Sequence, residues 1–144
     1  MDSLTILLTG CNRGIGLAMV HCLCENGHRI IATCRHPEKA TDLKALLDNY
    51  PDHLDLLPLD ISSDASVSSF QSQLEEKYRH LDILINNAGI FPGNADDSIN
   101  RVRMGEMREA FETNCLGTMR ISLICLPLLR KTKGSRLVQI SSGA

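Results

Sequence analysis

Glycines at positions 10, 14 and 16 follow a short apolar run ending at Leu8 and precede a segment of helical pattern. Glycine lets backbone come close to a pyrophosphate, and the N–H groups and dipole at a helix start supply positive potential for it. Strand, Gly-rich turn and helix in that order suit a mononucleotide or dinucleotide, held by Thr9, Gly10, Asn12, Arg13, Gly14, Ile15 and Gly16. Plain turn chemistry is the competing explanation of three glycines.

Arg35 stands about 20 residues beyond that loop, where a dinucleotide site places an acid for a ribose 2′-hydroxyl or an Arg for a 2′-phosphate. Either Arg13 or Arg35 alone reads as a solvated surface residue. Together they favour a 2′-phosphate, and so NADP over NAD. Asp60 and Ile61 could border an adenine ring with a carboxylate and an apolar wall, or Asp60 could help to cap the next helix. Asn86-Asn87-Ala88-Gly89 combines small residues, which admit a ligand to the backbone, with amides that pin a loop; a structural turn explains it equally well.

Asn114 interrupts an apolar stripe of Met104, Met107, Phe111, Thr118, Ile121, Cys125 and Leu128. A buried amide left unpaired costs roughly 1–3 kcal/mol, so Asn114 is either a satisfied core residue or one with a catalytic or backbone-pinning role. Ser141-Ser142-Gly143 could present a hydroxyl to a ligand, although the tripeptide is common in loops.

These residues need elements to hold them. Short apolar runs at 4–9, 29–34, 54–59, 81–86 and 137–140 read as strands. Helical patterns lie between them. Residues 15–26 carry Ile15, Ala18, Met19 and Cys22 on one side, with Gly27 as the C-terminal cap. Pro37 opens a helix with Leu43, Leu46 and Leu47. Ser62 and Ser63 cap one with Val67, Phe70, Leu74 and Tyr78. A loop around Pro92-Gly93-Asn94 leads to a long helix over residues 103–131, with a bend near Pro127. Alternation of this kind predicts an α/β, Rossmann-type, doubly wound parallel sheet of order 3-2-1-4-5, occupying residues 1–144 as one domain. The site residues all fall at carboxyl ends of strands.

The composition, with 43% hydrophobic and 22% charged residues in 144, is that of an ordinary globular chain. A net charge of −2 argues against nucleic acid or an anionic membrane as partner. No apolar run approaches the ~20 residues that span a bilayer, and no basic segment precedes an apolar one as in a signal peptide. The six cysteines, at 11, 22, 24, 34, 115 and 125, lack metal-ligand spacing. No metal is expected, and unpaired cysteines suggest a reducing, cytoplasmic location.

Thr9-Gly10-x-x-x-Gly14-Ile15-Gly16, Asp60, Asn86-Asn87-Ala88-Gly89, Asn114 and Ile140-Ser141-Ser142-Gly143 resemble, in order and spacing, the short-chain dehydrogenase/reductase superfamily along the whole chain. Ile83-Leu84-Ile85-Asn86-Asn87-Ala88-Gly89-Ile90, with an Arg in the glycine loop, is most similar to its NADPH-dependent carbonyl-reductase branch. The resemblance implies hydride exchange between NADP(H) and a small-molecule carbonyl or alcohol. It assigns Ser142 to the substrate carbonyl and Asn114 to a proton-relay water, and it suggests a homo-oligomer formed through residues 103–131. The family's Tyr-x-x-x-Lys proton donor is not matched: four residues beyond Tyr50 and Tyr78 stand Leu54 and Asp82. The expectation is the cofactor-binding front part of a longer reductase, lacking the C-terminal strands of the full fold. The rival is a cofactor-binding pseudoenzyme. A P-loop phosphotransferase lacks its Gly-Lys-Ser/Thr here, and Arg35 argues against a methyltransferase of similar topology.

Overall fold

Alternation of apolar side chains along the strands decides the architecture. In a computed structural model describing residues 3–91, 101 and 103–141, Ile6 and Leu8 of β1 (Thr5–Leu8) pack on one side of the sheet and Leu7 on the other. β2 (Arg29–Cys34) repeats the pattern, with Ile30, Ala32 and Cys34 opposed by Ile31. Such strands need cover on both faces. Val20 and Cys24 of α1 (Gly14–Glu25) and Leu43 of α2 (Thr41–Asn49) provide it on the first face. On the second lie Val67, Phe70 and Leu74 of α3 (Asp64–Lys77), with Ile121, Cys125 and Leu128 further along the chain.

With β3 (Leu54–Pro58), β4 (Ile83–Asn86) and β5 (Arg136–Gln139), the sheet is parallel throughout and ordered β3-β2-β1-β4-β5. The Rossmann-type expectation is met, and strand ends differ from it by a residue or two. Strand order reverses at β1, so the loops after β1 and β4 emerge side by side. β5 forms one edge and is largely exposed.

Four local expectations are corrected. The side of α1 carrying Ile15, Ala18, Met19 and Cys22 is not the buried one: Ile15 is 65% exposed, Ala18 and Cys22 are exposed, and Gly16, Val20 and Cys24 face the sheet. This helix is apolar nearly all round, so periodicity could not choose a face. Contact of Gly16 with the preceding loop chooses it. Pro37 opens a separate 3-10 turn, Pro37–Lys39, and α2 begins only at Thr41. The long helix comprises α4 (Met104–Phe111), a π-helical turn (Glu112–Gly117) and α5 (Thr118–Leu129). Its helical geometry therefore changes around Asn114, while Pro127 lies inside α5. The stripe it was thought to bury is divided: Met104, Met107 and Phe111 are exposed, whereas Ile121 and Cys125 are fully buried. The loop around Pro92-Gly93-Asn94 lies outside the described residues.

At the amino end of the strands, Asp55 of β3 gathers three donors. Lys77 and the Tyr78 hydroxyl from the end of α3 bind it, and Arg29 of β2 approaches at 3.4 Å. Arg29 also lies 5.4 Å from the Tyr78 ring centre, a cation–π distance. Burial alone would raise the Asp55 carboxyl, but hydrogen bonds from Lys77 and Tyr78 outweigh it and hold the group below the usual carboxylate range. A lowered carboxyl contributes stability that is full above the unfolded-state value of about 4 and is lost as pH falls through the folded value. Tyr78→Phe should therefore destabilise the chain by about 1.5–3 kcal/mol, the usual size of a hydrogen bond to a charge. In chemical denaturation followed across pH, Asp55→Asn should flatten the decline in stability below about pH 4; an unchanged acid limb would discount the latch.

Candidate functional site

The loops after β1 and β4 are fastened to each other before anything else can be built on them. Buried Thr9 turns its Oγ1 to accept the N–H groups of Asn87 (3.1 Å) and Ala88 (3.0 Å). In return the Asn87 amide donates to the carbonyls of Thr9 and Gly10, both at 3.0 Å. The backbones come so close that a Cβ on Gly10 would lie 2.7 Å from the Cα of Ala88, and Gly10 itself has φ +70°. Only glycine fits there. A Cβ on Gly16 would lie 2.1 Å from the Gly10 carbonyl and 2.6 Å from the Asn87 amide, so the first turn of α1 rests directly on this junction.

α1 starts without a side-chain cap. Arg13 holds the cap position in extended backbone, and the first helical bond runs from Leu17 N–H to the Arg13 carbonyl. The N–H groups of Gly14, Ile15 and Gly16 thus have no intrahelical acceptor and face a cleft, which suits an anion.

That cleft, of about 680 Å³, runs along the carboxyl ends of the strands. It gathers Gly10, Asn12, Arg13, Gly14, Ile15, Gly16, Arg35, Asp60, Ile61, Asn87, Ala88 and Gly89 of the expected residues. Arg13 and Arg35 are exposed and make no ion pair with the described residues. The Asp60 carboxylate accepts from the Ser62 N–H (3.0 Å) and hydroxyl (2.6 Å), closing the turn into α3, whose cap is Ser63. Asp60 therefore shapes its own loop as well as lining the cleft. Burial pushes the Cys34 thiol upward, so this wall is neutral there.

Three expected residues stand behind the cleft. Thr9 acts through the loop tie. Asn86 is buried and donates to the Ser122 hydroxyl at 3.0 Å, which binds β4 to α5. Asn114 is exposed, not buried in an apolar stripe, because the π turn carries it out of the 3.6-residue period. Its Oδ1 accepts the Ile90 N–H (2.8 Å) and its Nδ2 donates to the Ile90 carbonyl (2.7 Å). These two bonds pin the backbone of Ile90. Ser142 lies outside the described residues.

Sequence reading missed His36, Lys39, Thr41, Asp42 and Thr113, which also line the cleft. The available signal was Pro37: a proline immediately after Arg35-His36 fixes a turn there and folds Lys39 back towards Arg35. Thr113 gave none, since it enters the wall through the π turn.

The chain belongs to the short chain dehydrogenase family, whose pattern it matches over residues 4–144. Among its relatives is an NADPH-dependent pterin aldehyde reductase of Arabidopsis thaliana, 33% identical over 139 residues, which cover 96% of this chain and 56% of the relative. Solved structures of the same fold include an NADPH-bound carbonyl reductase from chicken fatty liver (TM-score 0.82, 33% identity, 91% of this chain and 50% of that one). Carbonyl reductase Sniffer of D. melanogaster is similar too (TM-score 0.80, 33% identity, 90% and 53%). The chain thus spans about half the length of the curated relatives it matches.

Because Gly16 seats α1 on the loop junction, Gly16→Ala should destabilise the chain by about 1–3 kcal/mol, the range for forced overpacking. Thermal unfolding measures this. Gly105→Ala, where a Cβ meets nothing within 4 Å, is the control and should be neutral or stabilising.

Proposed function

We propose that this chain carries the NADP(H)-binding part of an oxidoreductase that reduces a small-molecule carbonyl to an alcohol, or runs the reverse reaction. The observation that carries the reading is the pairing of Arg13 and Arg35, which make no ion pair with the described residues, with the uncapped start of α1 in one cleft. When bound, the nicotinamide supplies the hydride. The glycine loop fits a pyrophosphate, since at Gly10 and Gly16 the backbone is packed too closely for any side chain to stand in the way. Arg13 and Arg35 would hold a 2′-phosphate, with Lys39 adding a cation at the same end. Asp60 and Ile61 would border the adenine. Asn87, Ala88 and Gly89 line the wall opposite them, and Asn114 would fix that wall by holding Ile90. Ser142 is assigned to the substrate carbonyl by family resemblance alone.

Reduction of a carbonyl also needs a proton as the alkoxide forms, and a positioned acid contributes about 10²- to 10⁴-fold. Both tyrosines of the chain are committed elsewhere. Tyr78 donates to Asp55, and the Tyr50 ring packs near His21 with centroids 6.1 Å apart. Neither lines the cleft. This favours the second reading for the 144 residues taken alone: a cofactor-binding unit without its own proton donor.

No helix among the described residues is long and apolar enough to cross a membrane, and we place the protein in the cytoplasm on its unpaired cysteines. Self-association through the long helix is part of the proposal. Met104, Met107 and Phe111 of α4 are exposed, as are Leu116, Met119 and Leu123 beyond them. At 3.6 residues per turn the two groups would point in different directions; the wider π turn brings them into one apolar stripe.

Two measurements test the proposal. Arg35→Ala should weaken NADPH binding by about 10- to 100-fold, as for loss of a charge-assisted hydrogen bond, and leave NADH nearly unchanged. Calorimetric titration in which the unmutated chain prefers NADH would reject NADP(H). In NADPH absorbance assays with quinones, aldehydes and ketones, the 144-residue chain should stay near background while still binding cofactor. Robust turnover would place the proton donor among residues given other roles here.

A further inference from the structure

The π turn is an unfavoured geometry that persists only where surroundings fix it, and such turns recur at functional sites. Here two restraints act on it. Gly117, at its end, lies so close to Ile61 that a Cβ would meet the Ile61 carbonyl at 2.9 Å, so the helix is pressed against the cleft wall. Arg120, in the first turn of α5, reaches back to Glu112 at the start of the π turn (Nη2 to Oε1, 2.6 Å). It also reaches across to Asp64 in the first turn of α3 (Nε to Oδ1, 2.5 Å). Eight α-helical residues rise about 12 Å, so the Arg120–Glu112 pair brackets the whole irregular turn. The guanidinium keeps this position although its buried Nη1 has no hydrogen-bond partner among the described residues.

The network links opposite walls of the cleft. Asp64 follows the Asp60-Ile61 wall, and Glu112 leads directly to Thr113, which lines the cleft, and to Asn114, which grips both backbone polar groups of Ile90. The Asp60 side has fastenings of its own: Asp60 N–H donates to Ser66 Oγ at 2.9 Å, the Asp60 carboxylate binds Ser62, and Ile61 is buried in the core. The π turn is held to the Ile90 loop only by the Asn114 amide, and among the described residues its one side-chain tie to the Asp60 side runs through Arg120. Loss of Arg120 should therefore be felt at the Gly89–Ile90 end of the cleft, and little at the Arg35 end.

We infer that Arg120 is a positioning residue for the cofactor: with Glu112 and Asp64 it holds the π turn in the register that lets Asn114 fix the Gly89–Ile90 wall. This rests on the NADP(H) reading. The network touches no ligand itself, so its effect should depend on which half of the ligand is probed. Titration calorimetry with NADPH and with adenosine 2′,5′-bisphosphate, which has only the Arg35-end half, separates the two. Arg120→Met should weaken NADPH about fivefold, the scale of one partly exposed ion pair, and change the bisphosphate less than twofold. Glu112→Gln should show the same split in milder form, and Arg120→Lys should recover part of the NADPH loss. Equal affinities in mutant and parent, or equal losses for both ligands, would overturn the inference. If Arg120→Met does not fold, the Glu112→Gln and Arg120→Lys pair decides by the same criterion. Failure of the unmutated chain to bind either ligand would instead reject the NADP(H) reading itself.

Discussion

The contact between the loops following β1 and β4 governs the rest of the site. Two backbones meet there closely enough to exclude a side chain at Gly10, and such an approach would strand polar N–H and C=O groups unless each found a partner. One hydroxyl and one amide solve the problem: Thr9 Oγ1 takes two N–H groups, and Asn87 Nδ2 covers two carbonyls. Gly16 then rests on the tie, which aims the uncapped start of α1 into the cleft and turns Val20 and Cys24 towards the sheet. A sheet reversal alone would bring two loops into proximity. It is the tie that converts proximity into a surface of backbone donors.

The other side of the cleft depends on a different device. Asn86 and Ser122 fasten β4 to α5 below, while the π turn projects Asn114 outward to Ile90 above. Within one π turn Gly117 packs on Ile61 and Asn114 reaches Ile90, so the same short segment touches both walls of the cleft.

How much of this could be read from the chain depends on how many conformations each residue type allows. The glycine loop, the strand order and the alignment of Asn87, Ala88 and Gly89 were legible because glycines at that spacing and apolar runs of that length have few alternatives. The buried face of α1 was not legible, since its apolar residues surround the helix and the choice lies with a neighbour of Gly16 far along the chain: the Asn87 side chain, which also donates to the Gly10 carbonyl. For Asn114 the sequence left a core and a backbone-pinning role open. A regular period would place it in the apolar stripe, whereas it is exposed in a π turn that contacts Ile61 through Gly117 and Ile90 through Asn114. For Asp60 the sequence left two roles open, and the structure shows the loop-closing one directly.

The distribution of charge along the cleft bears on how a dinucleotide would lie in it. One end carries Arg13, Arg35, His36 and Lys39 with Asp42 nearby; among the described residues the Asn87, Ala88, Gly89, Ile90 and Thr113 end has no ionisable side chain. A 2′-phosphate placed at the uncharged end would lose its solvation without gaining a cation, a cost that rises steeply as water is excluded. At the cationic end the same group meets exposed guanidinium groups that have no competing carboxylate among the described residues. The pyrophosphate in turn suits the uncapped start of α1, between the two ends. Under the proposed NADP(H) reading, charge and backbone geometry together would put the adenosine half towards β2 and the reacting half towards β4, where Asn114 holds Ile90 beside small, neutral residues.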